Sequence, residues 1–207
     1  MTFPQIFRVI GLASAFLLAA CLPESRNPLS APASSDIDEH LSGVFAQRDK
    51  TGKEDPAYWH FHYHRTASAA PGKFRDSPLL EVMSVSHTRD GGLKTNRYLA
   101  LATHIGGHNY LSFIDFSANR PDGEPRRYSF ARYEVNWRGD VRIWLANNNA
   151  FAQAIKTGKI RGNLKARKPS DDVEITDTTA HLAAFVAGSN PETLFGGEPL
   201  VLKHLAP

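Results

Sequence analysis

Aromatic and β-branched residues alternate with polar residues over six successive stretches in the middle of the chain. This period of two residues is typical of antiparallel strands when turn-forming residues separate the stretches. The connections carry glycine, as in Asp90-Gly91-Gly92 and Gly106-Gly107, and they are too short for helical crossovers. We therefore expect a meander, curved or closed into a barrel-like sheet, with strands at residues 58–65, 79–88, 97–104, 109–116, 126–136 and 140–146.

The last third of the chain changes to the period of amphipathic helices. Apolar residues recur on one face of residues 149–157 and again on one face of residues 178–187. Asn148 or Asn149 can cap the first helix, because an asparagine side chain accepts free backbone N–H groups there. The predicted fold class is therefore α+β, an antiparallel β-meander or barrel-like curved sheet with two short helices in the C-terminal third. Shorter elements are expected at residues 160–166, 173–176, 190–192 and 200–204.

The chain begins with an apolar run that ends at a cysteine. Residues 9–20 are too few for a membrane-spanning helix, which needs about 20 apolar residues, but they suit a signal-peptide core of about 7–15. The run ends in Leu18-Ala19-Ala20-Cys21, which resembles the lipobox of bacterial lipoprotein precursors. The resemblance implies that residues 1–20 are a lipoprotein signal peptide and that Cys21 is acylated and anchors the protein to a membrane.

The same resemblance implies that the protein is located in the cell envelope. Leu22 replaces the aspartate that retains many such lipoproteins in the inner membrane, so we expect an outer-membrane protein that faces the periplasm. Residues 22–35 are rich in proline, serine and alanine without periodicity, which predicts that residues 21–35 form the lipidated cysteine and a flexible tether. Residues 36–207 then have the size of a single folded β-rich domain.

Composition excludes several classes of protein. Cys21 is the only cysteine, which excludes disulfides, thiol catalysis and thiolate metal ligands from the folded domain. The formal net charge is +3 and no block of basic residues is present, so a nucleic-acid partner is not expected. The sequence lacks both a Gly-x-Ser-x-Gly nucleophile elbow and a phosphate-binding glycine loop, and these absences favour a non-enzymatic protein over an enzyme.

The stretch Trp59-His60-Phe61-His62-Tyr63-His64 places three aromatic residues on one face of a strand and three histidines on the other. The aromatic face is the expected core face, which leaves the histidines exposed. Two histidines spaced i and i+2 start about 6.5–7 Å apart and could share a zinc ion, whereas His60 and His64 start about 13 Å apart. A metal site at His60, His62 or His64 thus needs a ligand from another strand. Residues of a suitable type are Glu81, His87, His104 and His108.

A second resemblance concerns the start of the folded domain. Leu41-Ser42-Gly43-Val44-Phe45 resembles the Gly-x-Trp opening of lipocalin-like barrels, with phenylalanine in the place of the tryptophan. No second lipocalin motif is present, and two helices after the strands depart from that family. The resemblance implies a small apolar ligand in the mouth of a barrel.

These observations lead to three functional hypotheses. The first is a non-enzymatic, lipid-anchored envelope protein that binds a protein or small-molecule partner, or has a structural role, and that needs no cofactor. The second is a metal-binding protein or zinc-dependent enzyme built on His60, His62 or His64. The third is a lipocalin-like carrier of a small ligand.

Overall fold

The structure is a computed structural model that describes residues 22–48, 54–64, 77–88, 91–115, 127–167 and 170–206. At residues 48, 54–56, 64, 115 and 206 it describes the backbone alone. The predicted signal peptide and Cys21 lie outside the described residues.

The strands of the structure are β1 (Glu24–Ser25), β2 (Gly43–Arg48), β3 (Glu54–His64), β4 (Leu79–His87), β5 (Leu93–Ile105), β6 (His108–Asp115), β7 (Ser129–Val135), β8 (Val141–Leu145), β9 (Gly162–Lys165), β10 (Asp172–Ile175) and β11 (Leu200–Ala206). The helices are α1 (Asn148–Lys156), α2 (Thr179–Ala187) and α3 (Pro191–Leu194).

Eight antiparallel strands form a closed barrel, which confirms the predicted α+β fold with a barrel-like meander. Strands β2 to β8 pair in chain order, and β11 closes the barrel by pairing with both β8 and β2. The turn between β5 and β6 is the Gly106-Gly107 hairpin, where both glycines have the positive φ that other residues rarely adopt. The glycine pair therefore forms the turn that its sequence predicts.

Strand β3 shows how the alternating sequence fills the barrel. Trp59, Phe61 and Tyr63 are at most 8% exposed and point inward, while His60 and His62 are exposed. This arrangement confirms that the aromatic face is the core face. The same alternation on the other strands completes an interior core that contains Phe45, Leu80, Ala102, Tyr133, Val141 and Leu202.

A second core lies on the outside of the barrel. Helices α1, α2 and α3 and a small sheet of order β1-β10-β9 cover one side of it. Phe151 of α1 lies at the centre, with the rings of Phe130, Phe185 and Phe195 between 6.1 and 6.3 Å from it. Several outward-facing positions of β5 to β7 are consequently apolar, so these strands are buried on both faces along part of their length. These positions include Leu99, Leu101, Tyr110 and Phe130.

The segment that precedes the barrel differs from the predicted flexible tether. Pro23 is buried, Leu29 is 1% exposed within the outer core, and Ser25 pairs with both Tyr128 and Ile175. Leu29 N–H also donates to the hydroxyl of Ser112 at 2.9 Å. A tether was predicted because the composition is poor in apolar residues, but one leucine and the strand pairing are enough to fix the segment on a surface formed by distant residues.

The cap of the first helix also differs from the prediction. Asn147 caps α1, because its side chain accepts the N–H groups of Asn149 and Ala150, whereas Asn148 is buried inside the first turn. The short element expected at residues 190–192 is α3, a single helical turn capped by Asn190, which confirms that prediction. Among the described residues, no helix is long and apolar enough to cross a membrane.

Candidate functional site

The described residues cover the two ends of the barrel to different extents. We call the end at which β8 finishes with Leu145 and β11 starts with Leu200 the open end. We call the end at which β5 turns into β6 at Gly106 the sealed end. Since neighbouring strands run antiparallel, the hairpin tip at Trp137 belongs to the sealed end and the start of β5 at Leu93 belongs to the open end.

A short 3-10 helix, Glu39–Leu41, closes the sealed end. Leu41 has no exposed surface and joins the interior core. Asp38 holds the helix in place, because its N–H donates to the Tyr63 hydroxyl at 3.0 Å and its carboxylate accepts the Tyr133 hydroxyl at 2.9 Å. Burial raises the pKa of Tyr63 to about 12, and burial together with the neighbouring Asp38 charge raises the pKa of Tyr133 further. Both hydroxyls therefore stay protonated at neutral pH, and Tyr133 remains a donor to Asp38.

Outside this seal lies a polar pocket of about 420 Å³ that is open to solvent. Its polar groups are largely engaged in holding the segment before β2. Asp36 accepts the N–H of His104 at 2.8 Å, and the His104 ring contacts the side-chain oxygen of Asn109 at 2.8 Å. This pocket is consequently part of the closure. Its lining consists of Asp36, Ile37, Asp38, Glu39, His40, Thr103, His104, Asn109 and Tyr133.

Among the described residues, the apolar side chains of the interior are less completely buried towards the open end. Towards the seal, Leu80 and Val141 have no exposed surface. Farther along, Trp59 and Ile143 are each 8% exposed. At the open end, four residues that pack against the interior core are only half-buried: Tyr98, Phe113, Leu145 and Leu200.

Two hydrogen bonds between side chains lie next to these apolar residues. The indole N–H of Trp59 donates to the Gln47 side chain at 3.4 Å, and Asn96 donates to the Ser84 hydroxyl at 3.2 Å. Ser84 and Asn96 are buried, and Asn96 shares the inward face of β5 with Tyr98. The combination of half-buried aromatic and aliphatic groups with a few fixed hydrogen-bonding groups is typical of sites for small, partly apolar ligands.

The structure does not bring the three histidines of β3 together with further ligands. His60 and His62 lie on the outer face of the barrel and are exposed, and the side chain of His64 falls outside the description. Glu81 is directly opposite His62 on β4, but its carboxylate is paired with Arg97. Over the described part of the chain, no group of three or more His, Cys, Asp or Glu could hold a metal ion. The metal site at His60, His62 and His64 stays a prediction.

The residues of the open end were not recognised from the sequence as a site. Tyr98, Phe113 and Leu145 fit the strand pattern as core residues, and sequence alone does not show that they are near the end of a barrel. The one available signal is the polar residue Asn96 at an inward position of β5. A polar residue on the core face of a strand breaks the alternation and indicates that the interior is not wholly apolar there.

Comparison with known proteins supplies no relative from which a site could be transferred. Neither protein-family models nor curated proteins nor solved structures give a match to this chain. The open end is therefore assigned as the candidate binding site from the burial and hydrogen bonds of its residues alone.

Proposed function

We propose that this protein is a lipid-anchored envelope protein whose barrel binds a small ligand through the open end. The ligand would have an apolar body and a hydrogen-bonding head. The observation that carries the proposal is the difference between the two ends. Of the described interior apolar residues, four large ones are half-buried where Leu145 and Leu200 lie, whereas near Leu41 the smaller Val135 alone is half-buried.

Stability alone does not explain this difference. Burying an apolar side chain completely contributes about 1.5–3 kcal/mol relative to leaving it exposed. A purely structural barrel would gain from closing both ends, yet four large inward residues remain half-buried at one of them. A ligand that covers these side chains would recover that free energy on binding.

The anchor part of the proposal rests on the sequence at the start of the chain. Leu18-Ala19-Ala20-Cys21 follows an apolar run of signal-peptide length. Acylation of Cys21, followed by Leu22, supports an address at the outer membrane that faces the periplasm. A protein anchored there has direct access to apolar and amphipathic molecules of the envelope.

Binding of cis-parinaric acid, a fluorescent fatty acid, tests the ligand site. We expect Leu145→Gln to weaken its binding about ten-fold, because a polar amide replaces apolar contact surface worth about 1.4 kcal/mol. The matched control is Val135→Gln, since Val135 is also inward-facing and half-buried but lies at the sealed end. Fluorescence titration of both variants and the unmodified protein gives the three dissociation constants.

The control should bind with an affinity within two-fold of the unmodified protein, which is about 0.4 kcal/mol. An equal loss in both variants would mean that any polar substitution disturbs the barrel, with no site at the open end. Absence of saturable binding to the unmodified protein would contradict the proposed ligand class directly.

A further inference from the structure

Two exposed histidines of β3 and an exposed methionine of β4 lie side by side on the outer face of the barrel. His60 and His62 point outward and are exposed. Met83, directly opposite His60 on β4, is 37% exposed and is the only methionine of the chain apart from Met1. A methionine contributes most to stability when it fills a gap in a core, so stability alone does not account for its position here.

The register of β3 and β4 brings the three side chains into one small area. Directly opposite residues of antiparallel strands have Cβ atoms about 4.5–5.5 Å apart, and His60 and Met83 are such a pair. His62 and Met83 are diagonal neighbours, about 7–8 Å apart. His60 and His62 are about 6.5–7 Å apart along β3. Two imidazole nitrogens and one thioether sulfur on a triangle of this size can reach a single ion above its centre.

The donor set and its surroundings favour Cu(I). Thioether sulfur selects Cu(I) and imidazole nitrogen also binds copper, whereas carboxylates suit harder divalent ions. A carboxylate, Glu81, does lie opposite His62, but it is paired with Arg97. Arg97 is in turn directly opposite Met83 on β5, so its positive charge repels a divalent ion about twice as strongly as a monovalent one.

We infer that His60, His62 and Met83 form a Cu(I)-binding site on the outer wall of the barrel. One nitrogen of each imidazole and the sulfur of Met83 bind the ion. The third ligand that a histidine pair needs is thus a methionine, a residue type outside the His, Cys, Asp and Glu groups that fail to converge in the described part of the chain. The copper site is independent of the proposed ligand site, because its side chains point away from the barrel interior.

NMR of the methionine methyl group tests the site at the ligand that distinguishes it. The full-length chain with Cys21→Ser, which removes the only thiol as a competing copper ligand, is prepared with isotope-labelled methionine and titrated with Cu(I) without oxygen. The Met83 methyl signal is identified by its absence in Met83→Leu. We expect this signal to shift until one equivalent of Cu(I) is bound and to stay unchanged with Zn(II). A Met83 signal that ignores Cu(I), or that responds equally to Zn(II), would overturn the inference.

Competition with bicinchoninate, a coloured Cu(I) chelator, measures what each side chain contributes in the same Cys21→Ser background. Loss of an outer-shell partner alone costs about 10–100-fold in metal affinity, so removal of a ligand should weaken Cu(I) binding by at least about ten-fold. This loss is expected for each of His60→Gln, His62→Gln and Met83→Leu.

His87→Gln is the matched control for the three ligand variants. His87 is also an exposed histidine on the outer face of β4, but it is four residues from Met83, about 13 Å along the strand. Its replacement should leave the affinity for Cu(I) within about two-fold of the unmodified value. Full affinity in Met83→Leu would mean that the thioether is not a ligand, and an equal loss in His87→Gln would mean that exposed histidines bind copper without a defined site. Either result contradicts the inferred site.

Discussion

Replacing Phe151 with alanine is expected to lower the free energy of unfolding by about 4 kcal/mol, since removal of a fully buried phenylalanine costs about 3–5 kcal/mol. Phe151 has no exposed surface and contacts three other aromatic rings in the outer core. Leu29 of the segment that precedes the barrel belongs to the same core. The cavity left by the substitution would therefore loosen the attachment of that segment as well as the helices. Equilibrium unfolding in urea measures the loss.

Phe185→Ala is the matched control for Phe151→Ala. Phe185 lies on α2, with its ring 6.1 Å from that of Phe151, but it is only half-buried. Its removal forms a smaller cavity, and we expect about half the loss of stability seen for Phe151. Equal losses in the two variants would show that Phe151 is not the centre of the outer core.

The second large effect is expected at Asp177, whose side chain has no exposed surface. Its carboxylate accepts the backbone N–H groups of Arg161 and Thr178 at 2.9 Å each, the Arg161 guanidinium at 3.1 Å and the His181 ring at 2.6 Å. Its backbone oxygen accepts a hydrogen bond from the side-chain amide of Asn27, in the segment that precedes the barrel, at 2.8 Å. Asp177→Ala leaves two backbone donors without their charged acceptor, at about 1.5 kcal/mol or more each, so a total loss of about 3 kcal/mol is expected.

The pH dependence of stability provides an independent check on Asp177. Burial by itself would raise the pKa of this carboxyl, but the donors from Arg161, His181 and Thr178 outweigh it and hold the pKa well below its usual range. The stability that the Asp177 carboxylate contributes is therefore fully present above about pH 3.9, the pKa of an aspartate in the unfolded chain. It is lost as the pH falls towards the lower pKa of this group in the folded protein. In Asp177→Ala, the difference in stability from the unmodified protein should shrink below about pH 4.

A comparable carboxylate at the surface supplies the control. Asp172 pairs with Arg167, and both side chains are exposed, at 41% and 61%. Exposed ion pairs contribute about 0–1 kcal/mol, so Asp172→Asn should change stability little at any pH. A similar loss at Asp172 and Asp177 would contradict the assignment of Asp177 as a buried junction between α2, the loop before β9 and the segment that precedes the barrel.

The strands of the barrel were predictable because their sequence carries the two-residue period directly. Trp59, Phe61 and Tyr63 alternate with polar residues, and this alternation was sufficient to assign the core face of β3. The first barrel strand, β2, was not predicted, since Gly43–Arg48 is short and its apolar residues do not alternate clearly. Closure of the barrel also could not be predicted from local sequence patterns, because β11 pairs with β2 across more than 150 residues of chain.

The candidate site was less accessible to sequence reasoning than the fold. Which end of the barrel is sealed depends on Leu41 and Asp38, and Asp38 meets Tyr63 and Tyr133 only after the barrel has formed. The packing of residues 22–35 depends in the same way on a surface built by β5, β6 and β7. The histidines of β3 are conspicuous because three histidines at alternate positions are unusual in a sequence. The half-buried residues of the open end, by contrast, are of types common in protein cores.

The central claim, that an amphiphile occupies the barrel from the open end, is tested most directly by quenching of Trp59 with a dibrominated stearic acid. Of the three tryptophans, Trp59 lines the interior, Trp144 lies in the outer core and Trp137 is exposed. Bromine quenches only on contact, so the ligand should remove the emission of Trp59 alone. We predict saturable quenching that disappears in Trp59→Phe and persists in Trp144→Phe. Quenching that survives in Trp59→Phe, or that is lost in Trp144→Phe, would place the ligand outside the barrel and contradict the proposal.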